Sequence, residues 1–537
     1  MPFLPSVAPP APQIDSKASA RVVQAAAALP TQPDWHGPFA ATAPSLDLDL
    51  FGPGDVRPIW EANRLAALPL LAQAARLDPG GGHLARAEAL LGAWCVANPP
   101  FLGPAWACAQ EAALRALHLA LALALLDADR DPPPGARGLL RLCARRIAAT
   151  PHYGAAQDNN HALSEPAGAF ACALLLDERE DAARHGRLIA ARLARLVGPE
   201  GGFAQVSPGY TRLLLDSLAL VEWLRRRHGL APFPAPFAAR AAAATAWLHR
   251  LTDPQTGATP RLGVEDGSAL GDLSGAGPRD ARASVERAAR LFAETGADLP
   301  DDPGCAWLGL PRPSATLDRP THWRAEGLLG WRRGRDCAVF RGGKLRFRPA
   351  QADLLHLTLM RDGVEILRDG GTGAYNPPAA WWGPALAGAA AHNGPVFDAA
   401  EPMPRAGRFL LARWPRMRAA GDGIALIDSR GNRATRRVGV VGTAWTITDT
   451  LGGPFRRVAW HWRLPDSAWV LGPEGATSPR ATLRFAADAP FTLRLAPGFE
   501  SPGYGAIAPA TLLVLEATAP LTRLVTTVIL PDPEPAA

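Results

Sequence analysis

Residues 298–343, DLPDDPGCAWLGLPRPSATLDRPTHWRAEGLLGWRRGRDCAVFRGG, hold the point where the chain changes period. The first half of this stretch, Asp298–Pro320, is rich in Pro, Asp and Gly, the composition of a connecting segment. Upstream, from about Trp60 to about Thr295, apolar residues recur at helical spacing. Examples are WEANRLAALPLLAQAARL (60–77), HLARAEALLGAWCVAN (83–98), EAALRALHLALALALLDAD (111–129) and YTRLLLDSLALVEWLRRRHG (210–229). Downstream of about His322, segments such as CAVFRGG, KLRFRP, LLHLTLMRDG, AWTITDTLGG, RVAWHWRLP and LTRLVTTVILP read as strands, several alternating apolar with polar residues between Gly, Pro or Asp. Many consecutive helices with short links suit a helical hairpin array or barrel, and many short strands in a row suit a stacked antiparallel sandwich. The expected architecture is an N-terminal incomplete (α/α) toroid over 45–300, a linker over 301–320 and a C-terminal β-sandwich over 321–537. An extension over 1–44 and the tail PDPEPAA (531–537) are expected to be partly or wholly disordered.

A chain of 537 residues is too long for one core, which agrees with two modules. Net charge is +6, and of the 56 basic residues only Lys17 and Lys344 are lysines. Arginine can grip a carboxylate or sulfate with a two-pronged fork. The arginines are spread along the chain rather than clustered, so no nucleic-acid partner is expected. The six cysteines include no CxxC pair, and neither a disulfide framework nor a zinc knuckle follows. The first thirty residues lack a basic region followed by an apolar run, so a cytoplasmic location is expected, with the periplasm as the alternative. The longest apolar run, around Ala116–Leu126, is too short for a membrane span. Nothing in the sequence sets the oligomeric state.

Polar landmarks interrupt the helical half in a definite order. WEANR (60–64) is followed by Asn98-Pro99-Pro100, a Gly103/Trp106 pair, and Glu111 with Arg115. Taken alone, Glu111 and Arg115 stand four apart and could pair on a helix face. Asp158-Asn159-Asn160-His161 then precedes an Ala- and Leu-rich stretch that also carries Glu165. Asn159 or Asn160 could serve as a helix cap. The same triplet also sets amides and an imidazole at a helix N-terminus, where anions are favoured. About fifty positions later comes SPGYTR, with Tyr210 and Arg212, and then PRLGVEDG (260–267), whose Glu265 and Asp266 could equally be turn formers.

This order of WExNR, NPP, GxxW, ExxxR, NNHxxxE and YxR resembles that of the heparinase II/III superfamily of polysaccharide lyases. The likeness covers roughly Trp60 to Arg405. It implies that Asn160, His161, Tyr210 and Arg212 are catalytic, and that Trp106, Arg115, Asn159 and Glu165 bind substrate. In the β half, RFRPAQADLLHLTLMRDGVEILRDGGTGAYN (346–376) resembles the family's HxHADxLSF…LxDxGTxxY signature, and His392-Asn393 resembles its HN element. Two family histidines fall on Pro349 and Gln351, a departure that puts activity itself in doubt. Zinc-containing relatives hold the metal through the second of those histidines, an Asp near the turn, and the HN histidine. Here the set would be Gln351, Asp369 and His392. A neutral amide is a poor zinc ligand, so zinc is not expected, nor any other cofactor. Gln351 and His392 are expected to contact substrate.

The resemblance implies an acidic polysaccharide as partner and β-elimination as the reaction. Such a reaction needs neutralisation of the uronate carboxylate, removal of the C5 proton, and protonation of the O4 leaving group. Asn160 and Arg212 would serve the carboxylate, His161 or Tyr210 would be the base, and Tyr210 the acid. The alternative is a catalytically weak protein that binds or organises an acidic exopolysaccharide. A glycoside hydrolase would need two carboxylates facing one bond, for which Glu165, Glu265 and Asp266 are available.

Overall fold

The computed structural model describes residues 1–531 apart from 32, 276, 278, 344 and 346–348. The chain divides into two compact units. One holds residues 1–204, 209–257 and 267–319; the other holds 205–208, 258–266 and 320–537. The first is helical and the second is built of antiparallel sheets. The KLRFRP segment and the final tail fall largely outside the described residues.

The helical unit is organised by two helices that are buried along almost their whole length, Ala109–Leu125 and His161–Leu175. Their polar residues, among them Gln110, Glu111, Arg115 and His118, are buried along with the apolar ones, so neither helix shows a polar face to solvent. They cross closely at Gly168, where an added Cβ would come within 2.5 Å of Ala113 Cα and Cβ. Outer helices such as Arg179–Leu196 bury one stripe (Ala182, Gly186, Ile189, Ala190, Leu193, Leu196) and expose the rest. This inner-and-outer arrangement is the toroid read from the sequence. Among the described residues no helix is long and apolar enough to cross a membrane.

Three local expectations need correction. WEANR does not open a long helix: it closes a short one, Val56–Asn63, and the backbone turns at Leu65 (φ 57°) before the next helix, Ala67–Leu77. The first forty-four residues, expected to be partly disordered, contain the helix Ser16–Ala27, capped by Asp15. The segment before it is tied down as Phe3 and Leu4 donate backbone N–H bonds to the Glu88 carboxylate. The span expected to be a linker carries the short helix Pro303–Trp307, capped by Asp302.

In the β unit, the strands from His322–Ala325 to Val364–Leu367 form a five-stranded meander. An eight-stranded sheet runs, edge to edge, through Val470–Gly472, Gly475–Thr477, Thr482–Ala487, Arg523–Ile529, Ala444–Gly452, Arg433–Val441, Gly423–Ile427 and Arg416–Ala420. A four-stranded sheet orders Phe491–Glu500, Ala508–Thr518, Arg457–Leu464 and Val396–Phe397. Ala444–Gly452 alternates buried and half-exposed residues, as a strand with one face on a core must. That core includes Trp445, Trp460 and Trp462, all fully buried. Inside it, Arg436 makes two 2.8 Å bonds to Asp449, and the Trp460 indole donates to the same carboxylate. The 258–266 segment is fixed within this unit. Arg261 pairs with Glu365 (2.7 Å) and Glu500 (3.2 Å), Glu265 N–H donates to Thr372, and Tyr375 O–H donates to Asp266. Glu265 and Asp266 thus anchor a loop.

Candidate active site

Two helix N-termini meet in the helical unit. Asn160, just before His161–Leu175, donates its side-chain N–H to Gln110 Oε1 at 2.6 Å, and Ser164 donates to the same oxygen at 2.8 Å. Gln110 belongs to the first turn of Ala109–Leu125. The local cap is supplied by Asn159, whose Oδ1 accepts the His161 backbone N–H. Asn160 ties the two helices together.

His161 follows one turn before Glu165, and His161 Nδ1 lies 3.1 Å from Glu165 Oε1. Its side chain keeps 17% of its surface, whereas Glu165 is nearly closed off. Gly154 is required opposite Glu165, since a Cβ there would stand 2.1 Å from Oε2. Burial opposes charge on His161, but Cys108 and Glu165 together outweigh it and push the imidazole up to about 10. His161 and Glu165 line a cavity of ≈ 610 Å³, otherwise mostly apolar, with Arg141, Arg145 and Arg192 on its walls.

Tyr210 and Arg212 occupy the first turn of Pro208–Arg227. Both are buried. Arg212 Nε donates to Ser284 Oγ at 3.0 Å and lies 4.0 Å from Asp216, which itself pairs with Arg287. Convergence of Tyr210 and Arg212 with Asn160 and His161 belongs to the functional proposal below.

Trp106 and Arg115 are not ligand contacts. Both are fully buried, and Arg115 stacks between the Trp94 and Trp106 rings at 4.4 and 4.8 Å while donating to the Asn63 and Ala105 carbonyls. A guanidinium stacked between two rings, with both terminal nitrogens donating to carbonyls, holds the core together. Nor does Arg115 pair with Glu111. That carboxylate is bound by Arg64 at 2.6 and 2.9 Å; burial raises its pKa, and Arg64 more than reverses the effect.

In the β unit Gln351, Asp369 and His392 are buried. Asp369 and His392 form a metal-type cluster with His356, their ligand atoms lying within 4.8 Å of one another. His356 escaped the sequence reading because it sits inside the apolar run LLHLTL. His392 Nδ1 lies 2.8 Å from Asp369 Oδ2, and His356 Nε2 lies 3.5 Å from the same oxygen. The set fits zinc poorly. Asn393 N–H donates to His356 Nδ1 at 3.2 Å, so a neutral ring carries its hydrogen on Nε2, the atom facing Asp369. Burial pushes His356 down to about 3 and so keeps it neutral. Burial also opposes charge on His392, but Asp369 reverses this and raises it. The resulting arrangement is a hydrogen-bonded acid–imidazole cluster. Gln351 donates to Gly371 O, and its Oε1 and His392 Nε2 are buried without partners among the described residues.

The fold is similar to those of solved polysaccharide lyases. A crystal structure of heparinase III superposes with a TM-score of 0.68 at 13% identity, covering 97% of this chain and 86% of that one. Heparan sulfate lyase HepC from Pedobacter heparinus gives 0.60 at 17%, covering 98% and 84%. A chondroitinase AC lyase gives 0.54 at 11%, covering 97% and 82%. No curated protein matches the sequence. Residues 318–528 match the family Heparinase II/III-like, C-terminal.

Proposed function

We propose that the chain is a lyase that cleaves an acidic, uronate-containing polysaccharide by β-elimination. The observation that carries this reading is His161, paired with Glu165, beside the Asn160 amide at the head of a buried helix, in a chain with the fold of heparinase III. An imidazolium and an amide suit a uronate carboxylate whose charge must be neutralised as the C5 proton leaves. The Glu165 carboxylate beside it favours the protonated ring, so this reading assigns His161 to the substrate carboxylate rather than to the C5 proton. Proton removal and O4 protonation then fall to Tyr210, with Arg212 as a second cation for the carboxylate.

The test is the ultraviolet absorbance of an unsaturated uronate end, followed across a panel of acidic polysaccharides. The expected result is product from a uronate polymer, with Tyr210→Phe lowering turnover by about 10²-fold or more, since only the O–H used for proton transfer is lost. Asn160→Ala should be comparably damaging. Full activity in Tyr210→Phe would overturn the assignment. Gln351 favours a second reading, a binder of acidic exopolysaccharide with little turnover. Retained binding with no unsaturated product from any polymer would establish that reading instead.

A further inference from the structure

Two outer helices, Pro134–Ala149 and Arg179–Leu196, pack on the same inner helix, His161–Leu175. The cavity of ≈ 610 Å³ that reaches His161 and Glu165 is lined by all three. Its floor is Ala162, Pro166, Ala169 and Ala173, all buried. They recur every three or four residues and so share one face of the inner helix. Small side chains along that face leave a trough of about 16 Å, from the helical rise per residue. Ile147 adds apolar surface from one wall and the exposed Leu188 from the other.

The rim carries charge. Arg141 and Arg145, one turn apart, are exposed on the first wall, and Arg192 is half-buried on the second. Two pairs on the lining neutralise themselves, His161 with Glu165 at 3.1 Å and Arg184 with Asp181 at 2.8 Å. Arg145 stacks on the Phe101 ring. Arg141, Arg145 and Arg192 form no ion pair among the described residues, and of the lining carboxylates only Glu178 is left to set against them. On the same wall as Arg192, His185 Nδ1 is buried without a hydrogen-bond partner among the described residues.

We propose that this cavity binds a single-chain amphiphilic carboxylate of the long-chain fatty acid class, its chain along the alanine floor and its carboxylate among the rim arginines. The lining selects that class. A sugar presents hydroxyls on every ring, and side chains of alanine, proline and isoleucine give them no partners, so each would be desolvated at a cost. A hydrocarbon chain needs no partners and gains by leaving water. A wholly apolar ligand would leave the arginines unused, whereas a carboxylate accepts the paired N–H groups of a guanidinium. An apolar cavity of this size with a few placed polar groups has the usual form of a small-molecule site. The site requires no turnover of polysaccharide and stands whether or not the chain is a lyase.

The full-length protein is titrated by calorimetry with sodium dodecanoate below its micelle concentration. Dodecyltrimethylammonium supplies the same chain with the opposite charge, and acetate supplies the head group without the chain. The expected result is saturable binding of one dodecanoate per chain in the micromolar range, with both controls weaker by about 10-fold or more. Ala144→Trp fills the cavity from a half-buried position on the Pro134–Ala149 wall. It should weaken dodecanoate by about 10-fold or more, as should Arg145→Gln combined with Arg192→Gln. Circular dichroism checks that each variant folds, and if Ala144→Trp does not, the arginine variant and the ligand series decide. Absence of saturable dodecanoate binding would overturn the proposal, as would equal affinity for dodecyltrimethylammonium or undiminished binding in folded Ala144→Trp. Displacement of bound dodecanoate by trigalacturonate would assign the cavity to a sugar and overturn it as well.

Discussion

At His356 the backbone amide of Asn393 donates to Nδ1, which leaves the ring's hydrogen on the side facing Asp369. A zinc ion would need that nitrogen's lone pair. Protein purified without added metal should therefore carry substoichiometric zinc, and a chelator should leave its thermal midpoint unchanged. Stoichiometric zinc that disappears in His356→Asn would show the hydrogen accounting to be wrong. His356 was illegible in the sequence because it sits in an apolar run and its meaning comes from partners far along the chain, Asn393 and Asp369. Asn160 and His161 were legible because a polar triplet at the mouth of an Ala- and Leu-rich stretch stands out locally. Trp106 and Arg115 were misassigned because an aromatic and a cation in one motif suit a sugar as well as they suit each other. Only their complete burial decides for the second.

Element by element, the sequence showed the buried inner helices and the long strands, whose periodicity is unbroken. It hid the helix end at Asn63, because the apolar pattern of 60–77 runs on across a left-handed turn at Leu65. Edge strands such as Arg416–Ala420 were also hidden, because exposed or half-exposed residues along their whole length leave no alternation to read. Two mid-helix glycines make the role of packing testable. Gly92, in His83–Ala97, has nothing within 4 Å of a notional Cβ, whereas Gly168 has Ala113 at 2.5 Å. Gly92→Ala should stabilise by about 0.5–1 kcal/mol through lower backbone entropy in the unfolded chain. Gly168→Ala should destabilise by about 1–3 kcal/mol, because the two inner helices must separate to admit the methyl group. Chemical denaturation of both variants checks this pair of opposite signs. A neutral Gly168→Ala would mean that the helix crossing is looser than the structure shows.

For the molecule as a whole, the stability–pH profile follows from groups whose protonation differs between folded and unfolded chains. Burial holds His118, His185 and His461 below their ordinary value, and His118 falls from 6.5 to about 4. Below about pH 6.5 the unfolded chain protonates these rings while the folded chain keeps them neutral. The unfolded state therefore binds more protons, and stability rises with pH across that window. Deeper in acid the carboxylates act in the same direction. Glu111 and Glu222 are lowered because their arginine partners outweigh burial, so their contribution is present above the ordinary carboxylate value and lost as pH falls through the folded one. His161 works on the other side. Its folded value, raised to about 10, makes its contribution complete below about 6.5 and lost as pH climbs toward 10. Burial of the Cys172 and Cys305 thiols adds to the alkaline loss above about pH 9, because the folded state retains protons that the unfolded state gives up. The expected profile is a maximum of thermal midpoint near pH 6.5, falling on both sides. His118→Asn should flatten the acid limb between about pH 4 and 6.5, and His161→Gln should flatten the alkaline limb up to about pH 9. Thermal denaturation of the wild type and the two variants across pH 4–10 is the measurement. A wild-type midpoint that is flat, or highest at either extreme, would show that these buried histidines do not control it.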